Sequence, residues 1–148
     1  MTPEISRGAR IASWVLQLAT AAILAQTLYF KFTYAPETQW IFGEKLGVGR
    51  AGATATGLVE LLCVLLLLVP RTTVIGSLLS LGTMGGAILS HLTILGIESR
   101  NPQTGQGDGG ALFALALGVA VMALVITFLR RAELRAILAA IKARRSMA

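Results

Sequence analysis

Four long apolar blocks, separated by short polar segments, organise this chain: residues 11–30, 52–69, 72–97 and 109–129. Each reaches or approaches the ~20 residues that carry a helix across a ~30 Å hydrocarbon layer. Almost no charge falls inside them, and the connecting segments hold three of the four prolines and four of the seven acidic residues. The pattern predicts an all-α integral membrane protein, a four-helix bundle filling a single membrane domain over 1–148, with a basic tail at 130–148. Within that tail Leu134, Ile137, Leu138 and Ile141 recur at helical spacing. This spacing suits an amphipathic C-terminal helix on an anionic leaflet, or a frayed continuation of the fourth span.

Composition agrees. The chain has 148 residues, 55% of them hydrophobic and 14% charged, with a mean hydropathy of +0.73, whereas soluble domains are about 45–50% apolar and about 25% charged. The first block follows Arg7 and Arg10, as a secretory leader would, but it is too long and lacks a small-residue cleavage site, so it is read as a retained span. The net charge of +6 does not call for nucleic acid. With four spans, Arg7, Arg10, Arg71 and the six basic residues of the tail share one side, while Lys31, Lys45, Arg50 and Arg100 share the other. The positive-inside rule then puts both termini in the cytoplasm.

The segment FKFTYAPETQW joins the first two spans on the outer side. Its aromatics, with Tyr29 before them and Phe42 after, suit the headgroup region. Pro36 disfavours helix at Ala35 and ends the first span. Lys31 can snorkel to the surface. In the other outer loop, ESRNPQTGQGDGG, Glu98 and Arg100 read as interfacial charges, and Asp108 is placed to cap the fourth helix.

Only Glu60 and His91 are ionisable and well inside a span. An ionised carboxylate at such depth costs at least ~2.5–3.5 kcal/mol and needs a partner, a proton or water. Stepping 100° per residue puts Thr73, Ser77, Ser80, Met84, Ala87 and Glu98 within about 40° of His91. Ser13, Gln17, Thr20, Thr27 and Lys31 form a like stripe on the first span, and Ala53, Thr56, Gly57 and Glu60 share a side of the second. The fourth has little polar beyond Thr127. Two readings follow. In one, the polar side chains bond between helices, His91 to a protonated Glu60 included, while Gly82 and Gly86 form a small-residue pair for close packing. In the other, the stripes of the first three spans line a cavity open to the outer side, with Glu60 and His91 as its floor and Lys31 and Glu37 as its rim.

Several chemistries are excluded. Cys63 is the only cysteine, so thiol–disulfide exchange within this chain is ruled out. His91 is the only histidine, so bis-histidine haem ligation is too. No metal-ligand spacing, phosphate-binding glycine loop or credible Ser/His/Asp triad is present.

A first span ending in KFT…PE, followed by LGVGRAGATATGLVELLCVLLLLVP, GGAILSHLTILGIE and DGGALFALAL, resembles the DoxX-like family of small four-helix membrane proteins over residues 10–130. The resemblance implies a bundle in a bacterial inner membrane, with relatives tied to quinone-linked oxidoreductase and oxidative-stress systems. The family pattern falls on Lys31, Glu37, Arg50, Gly57, Glu60, Pro70, His91 and Asp108, with no established catalytic residue among them. It leads to the expectation of a quinone-associated membrane subunit of a redox system, with no covalent cofactor, no metal and no enzyme activity on its own. Glu60 and His91 would relay protons, with Lys31 or Arg50 near the mouth. Binding or transport of another lipophilic molecule, and a non-catalytic assembly role, are the alternatives. The expected partners are the lipid bilayer and a redox partner subunit, with a homo-oligomer left open.

Overall fold

The structure is a computed structural model and describes residues 6–101 and 105–145. Its four long helices match the four apolar blocks: α1 (Arg7–Thr33), α3 (Gly49–Leu68), α4 (Thr73–Ser90) and α5 (Ala111–Leu129). All are long and apolar enough to cross a membrane, α4 together with the π-helical stretch His91–Leu95 that extends it. Helix is the expected solution, because hydrocarbon offers no partner to an unpaired backbone group. Among the described residues there is no strand, only an isolated bridge between Arg100 and Gly107.

The helices form a ring in which α1 packs on α3 and α5, and α4 packs on the same two. One end carries the start of α1, the α3–α4 turn and the end of α5 (the terminal end). The other carries the two longer connections (the loop end). Gly76 of α4 sets the close packing against α3 near the terminal end. A Cβ there would lie 2.8 Å from the Leu67 nitrogen and 2.9 Å from the Leu66 carbonyl carbon. Gly82 and Gly86, expected to form the packing pair, instead face open space, with nothing within 4 Å of an added Cβ.

The lower parts of the polar stripes close on one another by hydrogen bonding between helices. Ser13, Gln17, Thr73, Ser77 and Ser80 are fully buried. Gln17 donates to Ser13 Oγ at 2.7 Å, Thr73 donates to Gln17 Oε1 at 3.3 Å, and Ser77 meets Thr127 of α5 at 2.9 Å. Arg130 closes this end. It is 4% exposed, and its Nε donates to Ser13 Oγ at 2.8 Å while Nη1 reaches Pro70 O and Glu133. Nothing in the sequence pattern separates Arg130 from the surface arginines beside it.

The tail is helical: α6 (Arg131–Arg145) leaves the end of α5 with Leu138 and Ile141 exposed. Residues 146–148 of the expected tail, and 102–104 of the second connection, lie outside the described residues.

The connection after α1 is more ordered than its aromatic, turn-rich sequence suggests. Tyr34 takes the left-handed conformation (φ 54°) that ends α1. Pro36 then opens the short α2 (Pro36–Thr38), which runs into a π-helical segment, Gln39–Lys45. Thr38 donates to the Phe30 carbonyl at 3.0 Å, beside the Ala35 N–H that the same carbonyl accepts, and so ties the connection to the end of α1. Trp40, expected among the interface anchors, is instead buried, with Lys45 over its ring.

Candidate functional site

Between the loop-end halves of the four long helices lies a cavity of about 780 Å³, roofed by the α2 strap. Its walls are mainly apolar, among them Leu24, Phe42, Val59, Met84 and Leu115. The fourth span, which had looked uniformly greasy, supplies one of these walls through residues from Ala111 to Val119.

Five polar side chains interrupt this surface from the three stripes: Thr27 and Lys31 on α1, Thr56 and Glu60 on α3 and His91 at the end of α4. Gly57, one turn before Glu60, brings α1 close. A Cβ on it would lie 2.9 Å from the Phe32 ring and 3.5 Å from Lys31 Cβ. That approach lets Lys31 turn inward, away from the headgroups, and bond both oxygens of Glu60. Thr27 sits 2.8 Å from Glu60 Oε2 and also 2.8 Å from Leu24 O, so its single hydroxyl proton serves one or the other. Glu60 is 3% exposed. A cation and a carboxylate paired this closely neutralise each other, which is how a buried charge is tolerated. An ammonium carries three donors, and two are directed at Glu60, leaving one for another acceptor.

His91 is not hydrogen-bonded to Glu60. Its ring is buried, edge-on to Phe113, with Nδ1 2.8 Å from Gly96 O. A carbonyl only accepts, so Nδ1 carries the proton and a neutral ring presents Nε2 as an acceptor. The backbone holds this pose. The π-helical turn ends where Gly96 N–H donates to His91 O at 2.9 Å, and Gly96 itself sits at φ +83°, where a side chain would be strained.

Glu37 and Asp108 stand at the loop-end rim. Both line the large cavity and also a smaller one of about 140 Å³, shared with Trp40 and Ser99. Asp108 accepts the backbone N–H groups of Ser99, Gly110 and Leu112, tying the second connection to the first turn of α5. Partial burial works against its ionisation, but those donors outweigh it and hold its pKa below the ordinary value. Arg50 lies elsewhere: it stacks over Tyr34 at 5.7 Å and is not among the residues that line the cavity. Glu98 and Arg100 form an exposed pair at 2.9 Å. No group of metal-binding side chains occurs among the described residues.

The DoxX-like family profile matches residues 15–101, which take in most of the first span, all of the second and third, the ion pair and His91. This chain belongs to the DoxX-like family. No curated protein and no solved structure matches it. In this DoxX-like chain the matched region supplies every polar side chain of the cavity floor, while the rim carboxylate Asp108 and the α5 wall lie beyond it. Family membership together with four apolar helices makes it a membrane protein.

Proposed function

We propose that this DoxX-like protein is a quinone-associated subunit of a membrane redox system and holds the quinone head group in the cavity. The observation that carries this reading is the Lys31–Glu60 pair at the floor of an otherwise apolar cavity whose wall also holds His91. A head group with carbonyls needs hydrogen-bond donors at its edge and apolar walls around its ring, and the site offers both. Lys31 has one free donor, and Thr27 has a proton it can redirect.

When bound, a quinone supplies two-electron chemistry in which each carbonyl gains a proton to become a hydroxyl. Glu60 can hold or give up a proton next to Lys31. His91 Nε2 accepts a proton from a hydroxyl when neutral and donates to a carbonyl when charged, while Nδ1 stays on Gly96 O throughout. The carboxylates at the rim, Glu37 and Asp108, mark the side from which protons arrive. With the basic excess at the terminal end facing the cytoplasm of a bacterial inner membrane, that rim faces outward. Electrons come from a partner subunit.

The test is mass spectrometry of the lipophilic molecules retained by the protein in mild detergent, wild type against a Lys31→Met, Glu60→Leu double variant. Quinone present in wild type and lost from the folded double variant is the expected result. A different lipophilic molecule lost in the same way moves the function to binding or transport of that molecule. Quinone retained equally by both removes the ion pair from the site.

A further inference from the structure

The cavity is not confined to the bundle interior, and it reaches the outside between α3 and α4. Near the terminal end α3 and α4 are in backbone contact, where Gly76 faces Leu66 and Leu67. Advancing 100° per residue, Val59 and Ala55 fall within ~20° of Leu66, two and three turns further along α3. They therefore continue the stripe that α4 covers at Leu66, yet both are exposed and both line the cavity. On α4, Gly86 and Gly82 are turned ~80° and ~120° from Gly76, past the seam and away from buried Met84. They too are exposed and line the cavity. The two helices thus touch at one end and part towards the other, and the gap is edged by Ala55, Val59, Gly82 and Gly86. The α1–α5 seam also carries exposed lining residues, Phe30 and Leu115, but these and Ile23 are bulky side chains that fill it, where the α3–α4 gap is edged by glycines.

Depth fixes what can use such a gap. Gly82 and Gly86 lie ~14 and ~20 Å along the helix from Thr73, within a hydrocarbon layer of ~30 Å. Only a molecule dissolved in the lipid meets an opening there.

We infer that the gap between α3 and α4 is a lateral portal through which the apolar chain of the ligand lies, so that the ligand class is a long-chain amphiphile admitted from the bilayer. The inference rests on the proposed binding role of the cavity and adds to it the route and the chain. The head group sits at Lys31–Glu60, and the chain leaves past Gly82 and Gly86 into the hydrocarbon. Glycine at these two positions keeps the opening clear; an added Cβ meets nothing within 4 Å, so the backbone does not need the missing side chains for packing.

The test uses the full chain in lipid vesicles with a long-chain fatty acid carrying a diazirine close to its carboxyl group, labelled by light and mapped by peptide mass spectrometry. Leu24 and Met84 report the interior, because both line the cavity and are buried. The portal variant is Gly82→Leu with Gly86→Leu, which has room to fold and improves helix propensity. Gly118→Leu, on α5 away from the cavity and with equal room, is the control. Interior label in wild type and control, with its loss in the portal variant, is the expected result. Interior label that survives in the portal variant, or is absent from wild type, overturns the portal. Competition by a long-chain quinone is read separately: a quinone that fails to displace a portal-dependent label removes the quinone reading and leaves the portal standing.

Discussion

Lys31 of α1 and Glu60 of α3 meet inside the bundle, the ammonium bonding both carboxylate oxygens with side chains 14% and 4% exposed. Each residue alone is out of place. Together they form a neutral polar spot in an apolar cavity, and the close approach at Gly57 makes the meeting possible.

This pairing predicts strong coupling. Removing one partner leaves a buried charge uncompensated and costs ~3–5 kcal/mol, whereas replacing both by apolar residues of similar volume is often neutral. Lys31→Met and Glu60→Leu should each lower the unfolding temperature in detergent markedly, and the double variant should recover most of the loss. Additive losses in that cycle would show that the two side chains do not depend on each other.

Arg130 carries a second prediction. Its fork ties Ser13, Pro70 O and Glu133 together in a buried position. Arg130→Leu strands these partners and should cost on the order of 3–5 kcal/mol. Arg130→Lys should not restore it, because a lysine cannot reproduce the planar fork. Unfolding curves of the two variants against wild type decide it. Equal stability of wild type and Arg130→Lys would mean that charge alone suffices.

Helix α4 contrasts two glycines. Gly76→Ala puts a methyl group 2.8 Å from the α3 backbone and should destabilise by ~1–3 kcal/mol through overpacking. Gly82→Ala meets open space and should stabilise by up to ~1 kcal/mol through helix propensity alone. Thermal unfolding of the two variants side by side checks the order.

How much of this could be read from the sequence follows from what each signal depends on. The four spans rest on local apolarity, so they were legible to within a few residues; Ser6 caps α1 ahead of its apolar block, with its side chain accepting the Ala9 N–H. Glu60 and His91 stood out because a membrane makes ionisable groups conspicuous. The partner of Glu60 was not legible as such: Lys31 at a helix end looks like a snorkelling residue until Gly57 is seen to draw α1 inward. Arg130 was invisible for a similar reason, since burial depends on the Ser13 and Pro70 it meets. The contrast between Gly76 and Gly82 depends on how α3 and α4 diverge, which no spacing rule encodes. The α2 strap was missed because a three-residue helix and a π-helical turn are too short for apolar periodicity to show.

Asp108 gives a pH prediction. Its pKa is held below the ordinary value of ~3.9 by the three N–H donors, so the stability it contributes is complete above that value and is lost as the pH falls through the lowered folded pKa. Asp108→Asn should therefore be less stable than wild type at neutral pH, and the difference should shrink below about pH 4. Unfolding temperatures of both proteins across that range test it; a constant difference would assign the effect to shape and not to charge.

The most direct test of the central claim is the infrared carbonyl spectrum of a carbon-13-labelled quinone added to the purified protein. Hydrogen bonds from Lys31, and from His91 when its ring is charged, should move at least one carbonyl stretch below its position in empty detergent micelles. The shift should vanish in the folded Lys31→Met, Glu60→Leu variant. Carbonyl bands identical to those in micelles, with the wild-type protein in excess, would contradict a quinone head group at this site.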